Sequence, residues 1–70
     1  MYESRAGQIK RLTQEEAADV VQNRRVGKFY TILTTGKYLA IRVKMNGAFE
    51  VYETDTVEDC KAWLRREYAA

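Results

Sequence analysis

The stretch that most restricts the fold is Tyr38 to Lys44 with the residues that follow it. Leu39, Ile41 and Val43 alternate strictly with Tyr38, Ala40, Arg42 and Lys44, the period-two pattern of a strand with two different faces. Asn46-Gly47 comes next, a strong hairpin turn signal, and Ala48 to Thr54 alternates again. The register follows from the side chains. A two-residue loop would set Val43 opposite Glu50. A three-residue loop, Met45-Asn46-Gly47 with Gly47 left-handed, pairs Val43 with Phe49, Ile41 with Val51 and Arg42 with Glu50. Apolar and opposite-charge cross-strand pairs both stabilise a sheet, so the three-residue loop is expected.

Upstream, Lys28 to Leu33 is β-branched and aromatic, and Thr34-Thr35-Gly36 supplies a turn into Tyr38. The three strands form an antiparallel meander, flanked by two helix-start signatures. Thr13-Gln14-Glu15-Glu16 is a capping box, with Leu12 placed to staple onto Ala17. It predicts a helix from about Gln14 to about Arg24, with Ala17, Val20 and Val21 inward. Gly27 offers a left-handed C-cap, and Arg24 and Arg25 suit the negative end of the helix dipole. Asp55-Thr56-Val57-Glu58 opens a second helix, expected over about Thr56 to Tyr68, with Val57, Cys60 and Leu64 on one face and Trp63 at its edge. Residues 1–11 are polar and read as a frayed leader. The expected fold is a single α+β domain, residues 1–70, in the order helix, three strands, helix.

Composition narrows the function classes. The 70 residues are 46 % hydrophobic and 31 % charged, an ordinary globular balance. No apolar run suits a membrane span, and the first residues lack the apolar core of a signal peptide, so a cytosolic protein is expected. A single cysteine, Cys60, allows no internal disulfide and fits a reducing compartment. The absence of histidine removes imidazole-based catalytic dyads and triads and makes a zinc site improbable. The acidic residues Glu50, Glu53, Asp55, Glu58 and Asp59 match no calcium-loop spacing and are better explained in part as helix-start carboxylates. Cys60 lies on the apolar stripe of its helix, which marks a small core residue rather than a reactive thiol. No nucleophile–base pair is recognisable, so neither an enzyme nor a cofactor is expected.

The sheet faces carry the functional expectation. Leu39, Ile41, Val43, Phe49 and Val51 form an inner face, expected under the C-terminal helix. The other face holds Tyr38, Arg42, Lys44, Glu50 and Tyr52, with Tyr30 and Lys28 beside them. Burying Arg42 and Lys44 beneath a helix costs free energy, so both helices are expected on the inner face, leaving the second open. An open face of tyrosines and basic residues suits a protein partner, because Tyr and Arg dominate interaction hot spots. It also suits nucleic acid, through stacking and phosphate contacts, and an ordinary solvated sheet face has the same composition. Self-association through the face or a sheet edge is a third reading.

The segment of about residues 36–66, with Gly36-Lys37-Tyr38, Arg42-Val43-Lys44, Asn46-Gly47 and Thr54 through Trp63, resembles the arm-type DNA-binding domain of tyrosine integrases. That family has a three-stranded meander followed by a helix, and its sheet enters the major groove. The resemblance implies Tyr38, Arg42, Lys44 and Tyr52 as DNA contacts. Its third strand is typically basic, whereas Phe49 to Glu53 is acidic here. In size and composition the chain is also similar to small accessory proteins of phages and mobile elements, many of which bind and block a host protein. The leading expectation is therefore a non-enzymatic binding module that uses Lys28, Tyr30, Tyr38, Arg42, Lys44 and Tyr52 to engage a protein, such as a host defence nuclease. A DNA-binding accessory domain and a self-associating protein are the alternatives.

Overall fold

The computed structural model describes residues 8–66. The elements in chain order are β1 (Ile9–Arg11), α1 (Gln14–Gln22), β2 (Gly27–Ile32), β3 (Tyr38–Val43), β4 (Phe49–Thr54) and α2 (Val57–Arg65). The α+β class is as expected, but the sheet is four-stranded and mixed, in the order β1-β2-β3-β4. The meander β2-β3-β4 is antiparallel. The additional strand β1 pairs in parallel with β2, Ile9 opposite Lys28 and Arg11 opposite Tyr30. It comes from the segment expected to fray, of which residues 1–7 lie outside the described residues. Three residues are too few for a periodic signal, and their order comes from pairing with β2.

Local chemistry sets the helix starts. The Glu16 N–H donates to Thr13 Oγ1 at 3.2 Å, and the Thr13 N–H donates back to Glu16 Oε1 at 3.0 Å. Both halves of the capping box are thus made. At the second helix the Asp59 N–H donates to Thr56 Oγ1 at 3.2 Å. The end of α1 differs from expectation. The helix stops at Gln22, and Arg24 rather than Gly27 takes the left-handed position, at φ 53°. The Arg25 N–H reaches the Val20 carbonyl at 3.0 Å and the Arg24 N–H that of Val21 at 3.4 Å. This is a Schellman closure with a non-glycine residue at its left-handed position.

The β3–β4 hairpin has the expected register, Val43 opposite Phe49, Arg42 opposite Glu50 and Ile41 opposite Val51. Its three-residue loop closes through Lys44 N–H to Ala48 carbonyl at 2.8 Å, with Gly47 at φ 87°. A glycine belongs there because a Cβ in the left-handed region is strained.

Where the helices sit overturns the expected arrangement. They lie on opposite faces. Leu12, Ala17 and Val20 of the α1 region pack with Phe29, Ile41 and Val43. Cys60 and Leu64 of α2 pack with Ala40, flanked by Ile9, Tyr30, Tyr38 and Trp63. The C-terminal helix therefore covers the tyrosine and arginine face, and the N-terminal helix covers the face of Leu39, Ile41 and Val43. The result is three layers, helix, sheet, helix, which buries apolar groups on both sides of the sheet.

Candidate functional site

The residues expected to line an open face, Lys28, Tyr30, Tyr38, Arg42, Lys44 and Tyr52, do share one face. Helix α2 packs on it, so the expectation of a fully open surface is corrected, while Tyr52 at its β4 edge stays 43 % exposed. Arg42 is 8 % exposed. Its Nη1 donates to the Arg66 carbonyl at 2.7 Å and reaches that of Trp63 at 3.4 Å. Its Nη2 stands 3.3 Å from Glu50 Oε1, and its guanidinium lies 4.3 Å from the centre of the Trp63 ring. The anticipated cost of burying this cation is offset because the helix above it ends there. The last carbonyls of a helix are otherwise unsatisfied and carry its negative pole. Arg42 is thus the C-terminal cap of α2.

The neighbouring aromatics serve the same packing. The Tyr52 ring stacks on Trp63, 5.4 Å between centroids at 13°. Tyr30 meets Tyr38 at 6.4 Å, and Lys61 of α2 stands over Tyr30 at 5.8 Å. Lys28 and Lys44 are half-buried. Cys60 is buried in this layer, and desolvation holds its thiol pKa above its ordinary value, an unreactive setting. Among the described residues, no group of three carboxylate or thiol side chains could hold a metal ion.

Besides Tyr52 on the α2 side and Met45 in the β3–β4 loop, apolar side chains are also exposed on the other side. Helix α1 lies over β2 and β3 and does not extend across β4. By register, Phe49, Val51 and Glu53 of β4 share the α1 side of the sheet with Val43, Ile41 and Leu39. Val51 is 51 % exposed and Phe49 38 %. Beside α1 runs an open groove of about 470 Å³, lined by Ala18 and Val21 of the helix, by Leu39 and Ile41 of β3 and by Leu33, which follows β2. Sequence reading assigned Leu39, Phe49 and Val51 to a covered inner face. The signal available was the number of helices. One helix about 10 Å wide spans about two strands at a spacing of about 4.8 Å and cannot cover four.

β4 is also an edge. The Lys44–Ala48 bond fixes the alternation, so Glu50, Tyr52 and Thr54 bond to β3. The backbone N–H and C=O groups of Phe49, Val51 and Glu53 point outward. The ends of this β4 strip differ in charge. At the Phe49 end the Arg24 guanidinium lies 4.4 Å from the Phe49 ring centre, while Asp19 is engaged by Arg25 and Asn23. At the other end Lys37 is shared by Glu53 at 3.9 Å and Asp55 at 3.6 Å, two carboxylates to one ammonium.

No helix among the described residues is long and apolar enough to cross a membrane. No protein-family model, curated protein or solved structure matches this chain.

Proposed function

We propose that this domain is a non-enzymatic binding module for a protein partner, and that it binds through the α1 side of the sheet rather than through the tyrosine face. The observation that carries this reading is the exposed pair Phe49 and Val51 on β4, next to half-buried Leu39 and buried Ile41, which line the groove along α1. Covering adjacent apolar side chains is favourable, and such a patch is a surface a partner can use. Binding and blocking a macromolecule, the mode of the small phage-type modulators that the chain is similar to in size, needs no catalytic group and fits this surface. The DNA-binding alternative drew on Tyr38, Arg42, Lys44 and Tyr52. With Arg42 engaged by the end of α2 and Tyr38 packed beneath that helix, only Lys44 and Tyr52 of the four remain accessible to DNA, which makes this the weaker reading.

The test places a photo-cross-linking amino acid at Val51 and, separately, at Ala62 on the exposed side of α2. A defined protein captured through position 51 and not through 62 supports the reading. Capture through both positions alike, or retention of duplex DNA in place of protein, overturns it.

A further inference from the structure

Resting on that reading, we propose that the partner presents an amphipathic α-helix, laid beside α1 over β4 and antiparallel to α1, with acidic side chains in its first turn and basic ones in its last. The width of the strip points to a helix. Neighbouring strands are about 4.8 Å apart, so β4 lies about 10 Å from β2. Packed helices stand about 8–10 Å apart. A helix resting on Ala18 and Val21 of α1, which lies over β2, therefore comes down over Leu39 and Val51. The six residues of β4 extend about 20 Å, the length of roughly 13 helical residues.

Charge sets the direction. Gln14 Nε2 donates to the Ile32 carbonyl, so α1 begins at the Ile32–Tyr38–Thr54 end of the sheet and finishes at the Gly27–Val43–Phe49 end. A helix antiparallel to α1 starts beside Arg24 and ends beside Glu53 and Asp55. Acidic first turns and basic last turns are what isolated helices themselves favour, and the two helix dipoles then oppose. Arg24 adds a second observation. It holds a left-handed backbone conformation that glycine would adopt without strain, and its guanidinium lies at the mouth of the strip.

A second copy of the chain fits less well. For two copies to place each α1 in the other's strip, the two-fold axis must run along the strands. That sets Arg24 near Arg24 and the acidic ends together. Pairing β4 with itself through its outward groups sets Phe49 opposite Glu53 when Val51 faces Val51, Glu50 opposite Glu50 when Phe49 faces Val51, and Val51 opposite Glu53 when Tyr52 faces Tyr52. An added edge strand lies beside β4 and not over it, so each of these pairings leaves the α1-side faces of Phe49 and Val51 uncovered.

The experiment uses two stapled helical peptides of about 13 residues with the same leucine stripe. One has glutamates in its first turn and lysines in its last, and the other has the charges exchanged. Amide chemical shifts of the whole protein are followed during titration. The first peptide is expected to shift Ala18, Val21, Leu33, Leu39 and Val51 and to bind roughly five-fold tighter than the second, the scale of two surface charge contacts. Arg24→Glu should reduce or invert that preference, with circular dichroism confirming the fold. Equal affinities overturn the direction. Shifts centred on the outward amides of Phe49, Val51 and Glu53 with interstrand contacts would replace the helix by an added strand. Concentration-dependent shifts of the strip without peptide would replace it by a second copy. No binding by either peptide at millimolar concentration overturns the helix. A protein partner cross-linked through position 51 would then still stand, which separates failure of this inference from failure of the binding reading.

Discussion

Replacing Arg42 with alanine separates a structural arginine from a surface one. The guanidinium donates to the Arg66 carbonyl at 2.7 Å, stacks on Trp63 at 4.3 Å and pairs with Glu50 at 3.3 Å. A hydrogen bond to a charged group contributes about 1.5–3 kcal/mol. A partly desolvated cation–π contact adds about 0.5–2 kcal/mol. The half-exposed Glu50 pair adds at most about 1 kcal/mol. These terms overlap, and about 3 kcal/mol is a fair expectation for the whole. A 70-residue domain has of the order of 3.5–10 kcal/mol to lose, so Arg42→Ala removes a large fraction of it. Lys44→Ala, at a half-buried position just beyond β3, should cost clearly less than Arg42→Ala, because it is Arg42 that holds the end of α2. Urea unfolding followed by far-ultraviolet circular dichroism is the assay. Trp63 fluorescence is a second probe only, because the substitution alters its surroundings. If Arg42→Ala and Lys44→Ala were equally mild, Arg42 would not be capping α2 and the placement of that helix would be refuted.

Arg24→Gly should be about 1 kcal/mol more stable than Arg24→Ala, because both lose the contact with Phe49 and only alanine keeps the left-handed strain. Equal unfolding midpoints would deny the strain. Gly47→Ala should cost about 1 kcal/mol through backbone strain alone, since a Cβ there meets nothing within 4 Å. A much larger loss would indicate a clash instead. Burial raises the folded-state pKa of Cys60 above its ordinary 9.0. The contribution of its neutral thiol is then complete below the unfolded pKa and is lost as pH rises toward the folded one. The stability difference between the wild type and Cys60→Ala should shrink from pH 8 to pH 10, and a constant difference would contradict this. Val51→Glu should leave stability within about 0.5 kcal/mol while abolishing cross-linking from neighbouring positions on the strip.

What the sequence determined is what short-range chemistry determines. Thr13 with Glu16 places the first helix start through bonds spanning three residues, and at the second Thr56 caps through Asp59, one residue on from the Asp55–Glu58 spacing read in the sequence. Cross-strand matching across Met45-Asn46-Gly47 fixes the β3–β4 register, because a one-residue slip would turn every side chain to the wrong face. The burial of Cys60 follows from helical periodicity. The tertiary structure decided which helix covers which face. Both faces of the sheet carry enough apolar surface to receive a helix, and local patterning cannot rank them. Arg42 argued for an open face while its neutralising partners were unknown, since the carbonyls of Trp63 and Arg66 lie more than twenty residues away in sequence. Once α2 ends over Arg42, α1 must take the opposite face. Packed on β2 and β3, it then leaves Phe49 and Val51 of β4 exposed on that face.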